Sequence, residues 1–91
     1  MQFVVYILYS PGFKRFYIGQ TNNLDSRIQR HNSGRESFTK KYMPWDLIAH
    51  FEKEDRSEAM KLERKLKNLN RTRLIDFISR HKPESLIGKV F

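Results

Sequence analysis

Ninety-one residues without a cysteine leave room for one hydrophobic core and exclude a disulfide framework, a thiolate zinc site and a cysteine nucleophile. Seven Phe, four Tyr and one Trp within a 38% hydrophobic content argue against disorder, while 18 Lys and Arg against 10 Asp and Glu give a formal charge of +8. That excess points toward polyanionic partners and leaves solubility and acidic proteins as rival explanations.

The longest apolar run, Phe3 to Tyr9, falls far short of the roughly 20 residues of a membrane helix. A cytoplasmic chain with no membrane partner is expected. The run is dense in β-branched and aromatic residues and reads as a strand. Ser10-Pro-Gly-Phe13 supplies turn chemistry, and Arg15 to Ile18 reads as its hairpin partner. A two-residue loop closing Ser10 on Phe13 sets Tyr6 opposite Tyr17, and any longer even loop keeps both on one face. Gly19 is expected to end the strand and turn the chain, with Thr21 and Asn22 as loop and cap residues.

Asn22 or Asn23 can cap a helix from Leu24 to about Ser33, with Asp25 at its positive end and Gly34 as the stop. Leu24 and Ile28 make a thin apolar stripe. Arg27 and His31, four apart, form a polar ridge expected to face solvent or ligand. Gly34 to Met43 has no period and reads as a loop, with Arg35, Lys40 and Lys41 around Phe38 and Tyr42.

Trp45, Leu47, Ala49 and Phe51 alternate with Asp46 and His50, apart from the apolar Ile48, and predict a third strand. The Asp55-x-x-Glu58 capping box opens a helix striped by Ala59, Leu62, Leu66 and Leu69, with Glu63 at the border of the stripe. A last helix, about Arg71 to His81, packs Leu74, Ile75, Phe77 and Ile78 before Pro83. A domain over 1–81 is followed by a tail, 82–91, expected to be partly ordered. The order β-β-α-β-α-α predicts an α+β fold: a small three-stranded, mostly antiparallel sheet flanked by about three helices.

There is no Gly-rich phosphate loop, His-Glu-x-x-His or Gly-x-Ser-x-Gly. Instead "VVY" (Val4 to Tyr6) and "YIG" (Tyr17 to Gly19) place two tyrosines eleven apart, with Arg27 and His31 on the next helix and Glu63 on a later one. This ordered set resembles the GIY-YIG nuclease superfamily over roughly Phe3 to Ile78. "HNSG", "TKKYMPW" and "SEAMKLERKLKNL" are similar to its small single-domain bacterial branch. The chain departs from the pattern at Val4 and Val5, where the family has Gly and Ile. A late asparagine of several members has no clear counterpart, since Asn68 and Asn70 follow soon after Glu63.

The resemblance implies a metal-dependent endonuclease hydrolysing phosphodiester bonds in DNA, structure-directed or nonspecific, in repair or recombination. It implies catalytic roles for Tyr6, Tyr17, Arg27, His31 and Glu63, a structural role for Gly19, and one Mg²⁺ or Mn²⁺ on Glu63. The chemistry is compatible: Mg²⁺ binds through few carboxylates plus phosphate, and an arginine fork clasps phosphate at any relevant pH. Tyr6 is expected to accept the proton of the attacking water, with Tyr17 orienting water or phosphate and His31 assisting. A phenol of ordinary pKa near 10 needs cationic neighbours or the metal for that.

The other cations, Lys14, Arg30, Arg35, Lys40, Lys41, Lys67, Arg71 and Arg73, are candidates for backbone contacts that give affinity without sequence choice. Phe38 and Tyr42 could stack on an unpaired base. Branched or single-stranded DNA is the expected partner and RNA stays compatible. A partner subunit or homodimer would supply further selectivity. The competing readings are plain ones: core tyrosines, a solvated Arg27–His31 face, a Glu63–Lys67 helix pair, and a nucleic-acid-binding module without turnover. His50 and His81 have no partner at metal-ligand spacing and read as surface.

Overall fold

The computed structural model describes residues 2–82. The tail residues Leu86, Ile87, Val90 and Phe91 lie outside the described residues. β1 (Phe3–Ser10) is the central strand, flanked antiparallel by β2 (Arg15–Thr21) and β3 (Asp46–Lys53) in the order β2-β1-β3. Its six residues from Val5 to Ser10 are all buried, because both faces of the sheet are covered. Val5, Ile7 and Tyr9 point into a core shared with Ala59, Leu66, Leu74 and Ile78 of α2 (Arg56–Lys67) and α3 (Arg71–His81). Tyr6 and Leu8 point the other way, into a second cluster with Trp45, closed by Leu24 and Ile28 of α1 (Leu24–Asn32). The α+β class and its element order follow as expected. None of the described helices is long and apolar enough to cross a membrane.

The hairpin turn spans Pro11–Lys14, with Ser10 paired to Arg15, so the loop is even but two residues longer than the tightest closure. Lys14 takes the left-handed conformation at φ 54. Tyr6 consequently lies opposite Gly19 and Leu8 opposite Tyr17. The two tyrosines share a face as diagonal neighbours rather than as a direct pair.

β2 does not end at Ile18. It continues through Gly19 to Thr21 because Val4 and Val5 pair with Thr21 and Gln20. Gly19 is therefore not a corner. A Cβ there would lie 2.5 Å from the Tyr6 hydroxyl oxygen and 2.7 Å from Cζ, so the missing side chain is the space the Tyr6 ring occupies.

Ile48, the residue out of step in the third strand, marks a bulge. Ile7 pairs with Ala49 and Leu8 with Leu47, skipping Ile48. Ile48 and Ala49 thereby both join the α2–α3 core, while Leu47 serves the α1 side. The segment after Gly34, read as loop, contains one 3-10 turn, Thr39–Tyr42. Caps fall on expected residues: Asn23 accepts from the Ser26 amide, Asp55 from Glu58, and Gly34 at φ +80 lies just past the end of α1.

Candidate active site

Three of the sequence-selected residues meet in the α1-side core. Tyr6 is 0% exposed, and its hydroxyl lies 2.9 Å from Nε2 of His31. The other ring nitrogen of His31 is 2.7 Å from the Thr39 hydroxyl. Thr39 is itself held by its turn, where its carbonyl accepts from the Trp45 indole at 2.8 Å. The Tyr17 ring lies over this group, 5.0 Å from the His31 ring and 6.4 Å from Tyr6. His31 thus leaves the solvent-facing ridge expected of it. With only the partly buried Leu24 and Ile28 as apolar contacts, the α1 helix has His31 as its one fully buried side chain, its polar atoms satisfied internally.

Burial governs the protonation of this group. It pushes the Tyr6 phenol up to about 12, helped by Tyr17 and opposed by the Arg27 guanidinium. It also lowers His31 below its usual value, with Arg27 and Arg30 acting in the same direction and Glu36 against them. Tyr6 is therefore a neutral phenol and His31 a neutral imidazole at physiological pH, donating at one nitrogen and accepting at the other. The cationic help expected for a Tyr6 phenolate is outweighed by desolvation.

Glu63 arrives from the opposite side of the sheet. It projects from α2, and its carboxylate is shared between the Gln20 amide at 2.9 Å and the Lys67 ammonium at 2.8 Å. Gln20 follows Gly19 on β2, so it faces away from Tyr6 and toward α2. Because β2 is an edge strand, the two sides of the sheet communicate around it. Gln20 lines both the open cleft of ≈ 370 Å³ beside Glu63 and Asn68 and a polar cleft of ≈ 260 Å³ beside Arg27. Its Oε1 is buried without a partner. The site comprises an enclosed aromatic–imidazole group, an arginine, and a carboxylate reached over a strand edge. No group of three or more His, Cys, Asp or Glu forms a metal cluster among the described residues.

The model of the GIY-YIG catalytic domain matches residues 2–76. The chain belongs to the GIY-YIG family. It is 33% identical over 69 residues to a UPF0213 protein of Bacillus cereus, covering 75% of this chain and 72% of that one. It is 35% identical over 63 residues to the UPF0213 protein YsiG of Lactococcus lactis, covering 68% of this chain and 60% of that one, so it spans about three fifths of that relative. The solution structure of the UPF0213 protein BH0048 from Bacillus halodurans superposes with a TM-score of 0.59 at 32% identity, covering 89% of this chain and 86% of that one.

Within this GIY-YIG domain the expected backbone contacts divide. Lys14, Arg35, Lys40 and Lys41 are exposed on the hairpin and on the segment following α1. Arg30 is exposed but paired with Glu36 at 3.1 Å. Lys67 pairs with Glu63, as the plain reading of the helix anticipated. Arg71 ties α3 to the hairpin by donating to the Lys14 carbonyl, and Arg73 is exposed on α3. Asn70 caps α3, so of the two late asparagines only Asn68 borders the Glu63 cleft. His50 and His81 are exposed.

Gln20, Thr39 and Trp45 were not singled out by sequence, though each holds a site residue or its support. Gln20 carried one signal, a polar residue at an inward position of an otherwise apolar strand face. Thr39 and Trp45 carried only the family-like "TKKYMPW" run, which assigns neither a role, because their partners are 8 and 6 residues away across an aperiodic segment.

Proposed function

We propose that this chain is a divalent-metal-dependent endonuclease hydrolysing phosphodiester bonds of branched or single-stranded DNA. The observation that carries the reading is the gathering of Tyr17, Tyr6, His31 and Arg27 at the edge strand whose Gln20 reaches Glu63, in a chain matched by a catalytic-domain model. Arg27 clasps the phosphate through its fork, which stays charged throughout. Tyr6 is closed to solvent and held neutral, so its part is to position His31 and Arg27. Tyr17 is partly exposed and presents its hydroxyl to water or phosphate, the role expected of it, whereas Tyr6 gives up the proton-accepting role expected of it.

Glu63 fits one oxygen-seeking cation of the magnesium type, which takes few carboxylates and completes its shell with water and substrate phosphate. Held there, such an ion would supply positive charge to the phosphate under attack and to the departing oxygen. Support for unpaired substrate comes from an aromatic strip in which Phe13, Tyr42, Phe38 and Tyr17 succeed one another at ring distances of 5.3, 5.8 and 6.1 Å. Phe13 and Phe38 are 52% and 56% exposed, and Arg15 lies 4.4 Å over Tyr42. Successive bases stack on such a surface whatever their sequence.

The second reading, a binding module with little or no turnover, is favoured by one feature: the Glu63 carboxylate is already neutralised by Lys67. Cleavage of single-stranded and branched DNA with Mg²⁺ or Mn²⁺ separates the two. Glu63→Ala is expected to abolish cleavage, and Tyr17→Phe to reduce it strongly, both with unchanged thermal unfolding. Full activity in Glu63→Ala sinks the metal assignment. Salt-dependent binding without cleavage on any substrate establishes the module instead.

A further inference from the structure

At the end of the sheet where β2 hands over to α1, a polar cleft of ≈ 260 Å³ is walled by Phe3, Gln20, Thr21, Asn22, Arg27 and Arg56. Two arginines line it from different helices. Arg27 lies in the opening turns of α1, and Arg56 is the first residue of α2. No carboxylate lines the cleft, and neither arginine forms an ion pair among the described residues. Of the acidic residues flanking Arg56, Asp55 caps α2 and Glu58 pairs with Lys61 at 3.6 Å. Arg56 is steered by the Phe3 ring, 5.2 Å from its guanidinium carbon. Two like charges held toward one polar cleft without a counter-charge, each beside a helix N-terminus, constitute an anion site.

We propose that Arg56, with Arg27, forms a second phosphate subsite that holds a backbone phosphate next to the scissile one. The cleft shares its Gln20 wall with the Glu63 cleft. A strand whose phosphate sits between Arg27 and Arg56 is thereby led across Gln20 toward Glu63, and Arg56 sets its register there. Arg56 is a positioning residue for the substrate strand. The identity of the anion as a backbone phosphate rests on the nuclease reading; the existence of the anion site does not.

Two measurements on the full chain test this, using Arg56→Gln, which removes the charge and keeps a polar side chain. In the first, isotope-labelled protein is titrated with inorganic phosphate, and the side-chain Nε–H signals of Arg27 and Arg56 are expected to move along one saturation curve. Arg56→Gln is expected to weaken the Arg27 response about tenfold, the scale of a lost charge-assisted hydrogen bond. No response, or an Arg27 response unchanged by the substitution, overturns the subsite. In the second, single-stranded DNA affinity is followed against salt without divalent ions. The slope is expected to fall by about 0.7 in Arg56→Gln, one phosphate's share, and to hold in Arg80→Gln, a charge control at the far end of α3. Equal slopes in all three proteins overturn the proposal even if DNA is cleaved. Intact phosphate and slope effects without any cleavage sink the nuclease reading and leave the subsite standing.

Discussion

Tyr6 and His31 are 0% and 1% exposed, and the Tyr6 hydroxyl and both His31 ring nitrogens are bonded inside the protein. Glu63, on the other side of the edge strand, is held by one strand amide and by a lysine whose side chain is 53% exposed. The inner half is held by packing and desolvation, where a lost partner leaves a buried polar group unsatisfied. The outer half is held by charge at high dielectric, where partners exchange cheaply. Substitutions in the inner half should therefore lower stability and function together, and those in the outer half should change function alone.

The largest effect is expected from His31→Leu, which keeps volume but orphans the Tyr6 and Thr39 hydroxyls. At about 1–3 kcal/mol for each unsatisfied group, the summed loss is about 2–6 kcal/mol, measured by denaturant unfolding. The same residue gives the wild type an acid limit. Its folded-state pKa is lowered by burial, so the unfolded chain binds the extra proton more readily. Its contribution is complete above the unfolded value of about 6.5 and is lost as pH falls through that value toward the folded one. The loss of Tm below pH 6.5 should be shallower in His31→Leu; an identical profile would contradict the neutral buried imidazole.

Gly19→Ala comes next and attacks the inner half through volume. The added Cβ would stand 2.5 Å from the Tyr6 hydroxyl oxygen and 3.2 Å from a Tyr17 ring carbon. With Tyr6 fully buried the ring has nowhere to go, and about 1–3 kcal/mol is expected for such overpacking, with displacement of the Tyr6–His31 contact visible in the imidazole resonances. A wild-type spectrum and stability in Gly19→Ala would show that the glycine serves something other than Tyr6.

These two residues also mark where sequence reasoning reached and where it stopped. The shared face of Tyr6 and Tyr17 followed from period-two alternation and an even turn, which needs only local geometry. The caps at Asn23 and Asp55 were local too. The purpose of Gly19 was not, because its reason is a ring on the neighbouring strand. Neither was the burial of His31, whose partners lie 25 and 8 residues away. The odd apolar Ile48 was visible as an anomaly, yet a bulge is recognised only when its partner strand is known. Arg56 was not singled out at all, since the cleft it lines is formed by three other elements.

Lys67→Met should have the smallest effect on stability and the sharpest consequence for the outer half. An i,i+4 pair on an exposed helix face is worth about 0.3–0.5 kcal/mol, and methionine keeps the stem and helix propensity, so unfolding should shift by no more than this. The ammonium, however, stands 2.8 Å from the Glu63 carboxylate, where it competes with any cation that oxygen attracts. Its removal leaves Glu63 with the Gln20 amide as its neutral neighbour, and Mn²⁺ should bind at lower concentration, read by electron paramagnetic resonance without DNA present. Loss of a positive charge should at the same time weaken DNA binding. Opposite movements of metal and DNA affinity in one variant, with stability unmoved, are what an outer half held by exchangeable charge requires. Weaker metal binding would mean that Lys67 orients the carboxylate rather than contests it.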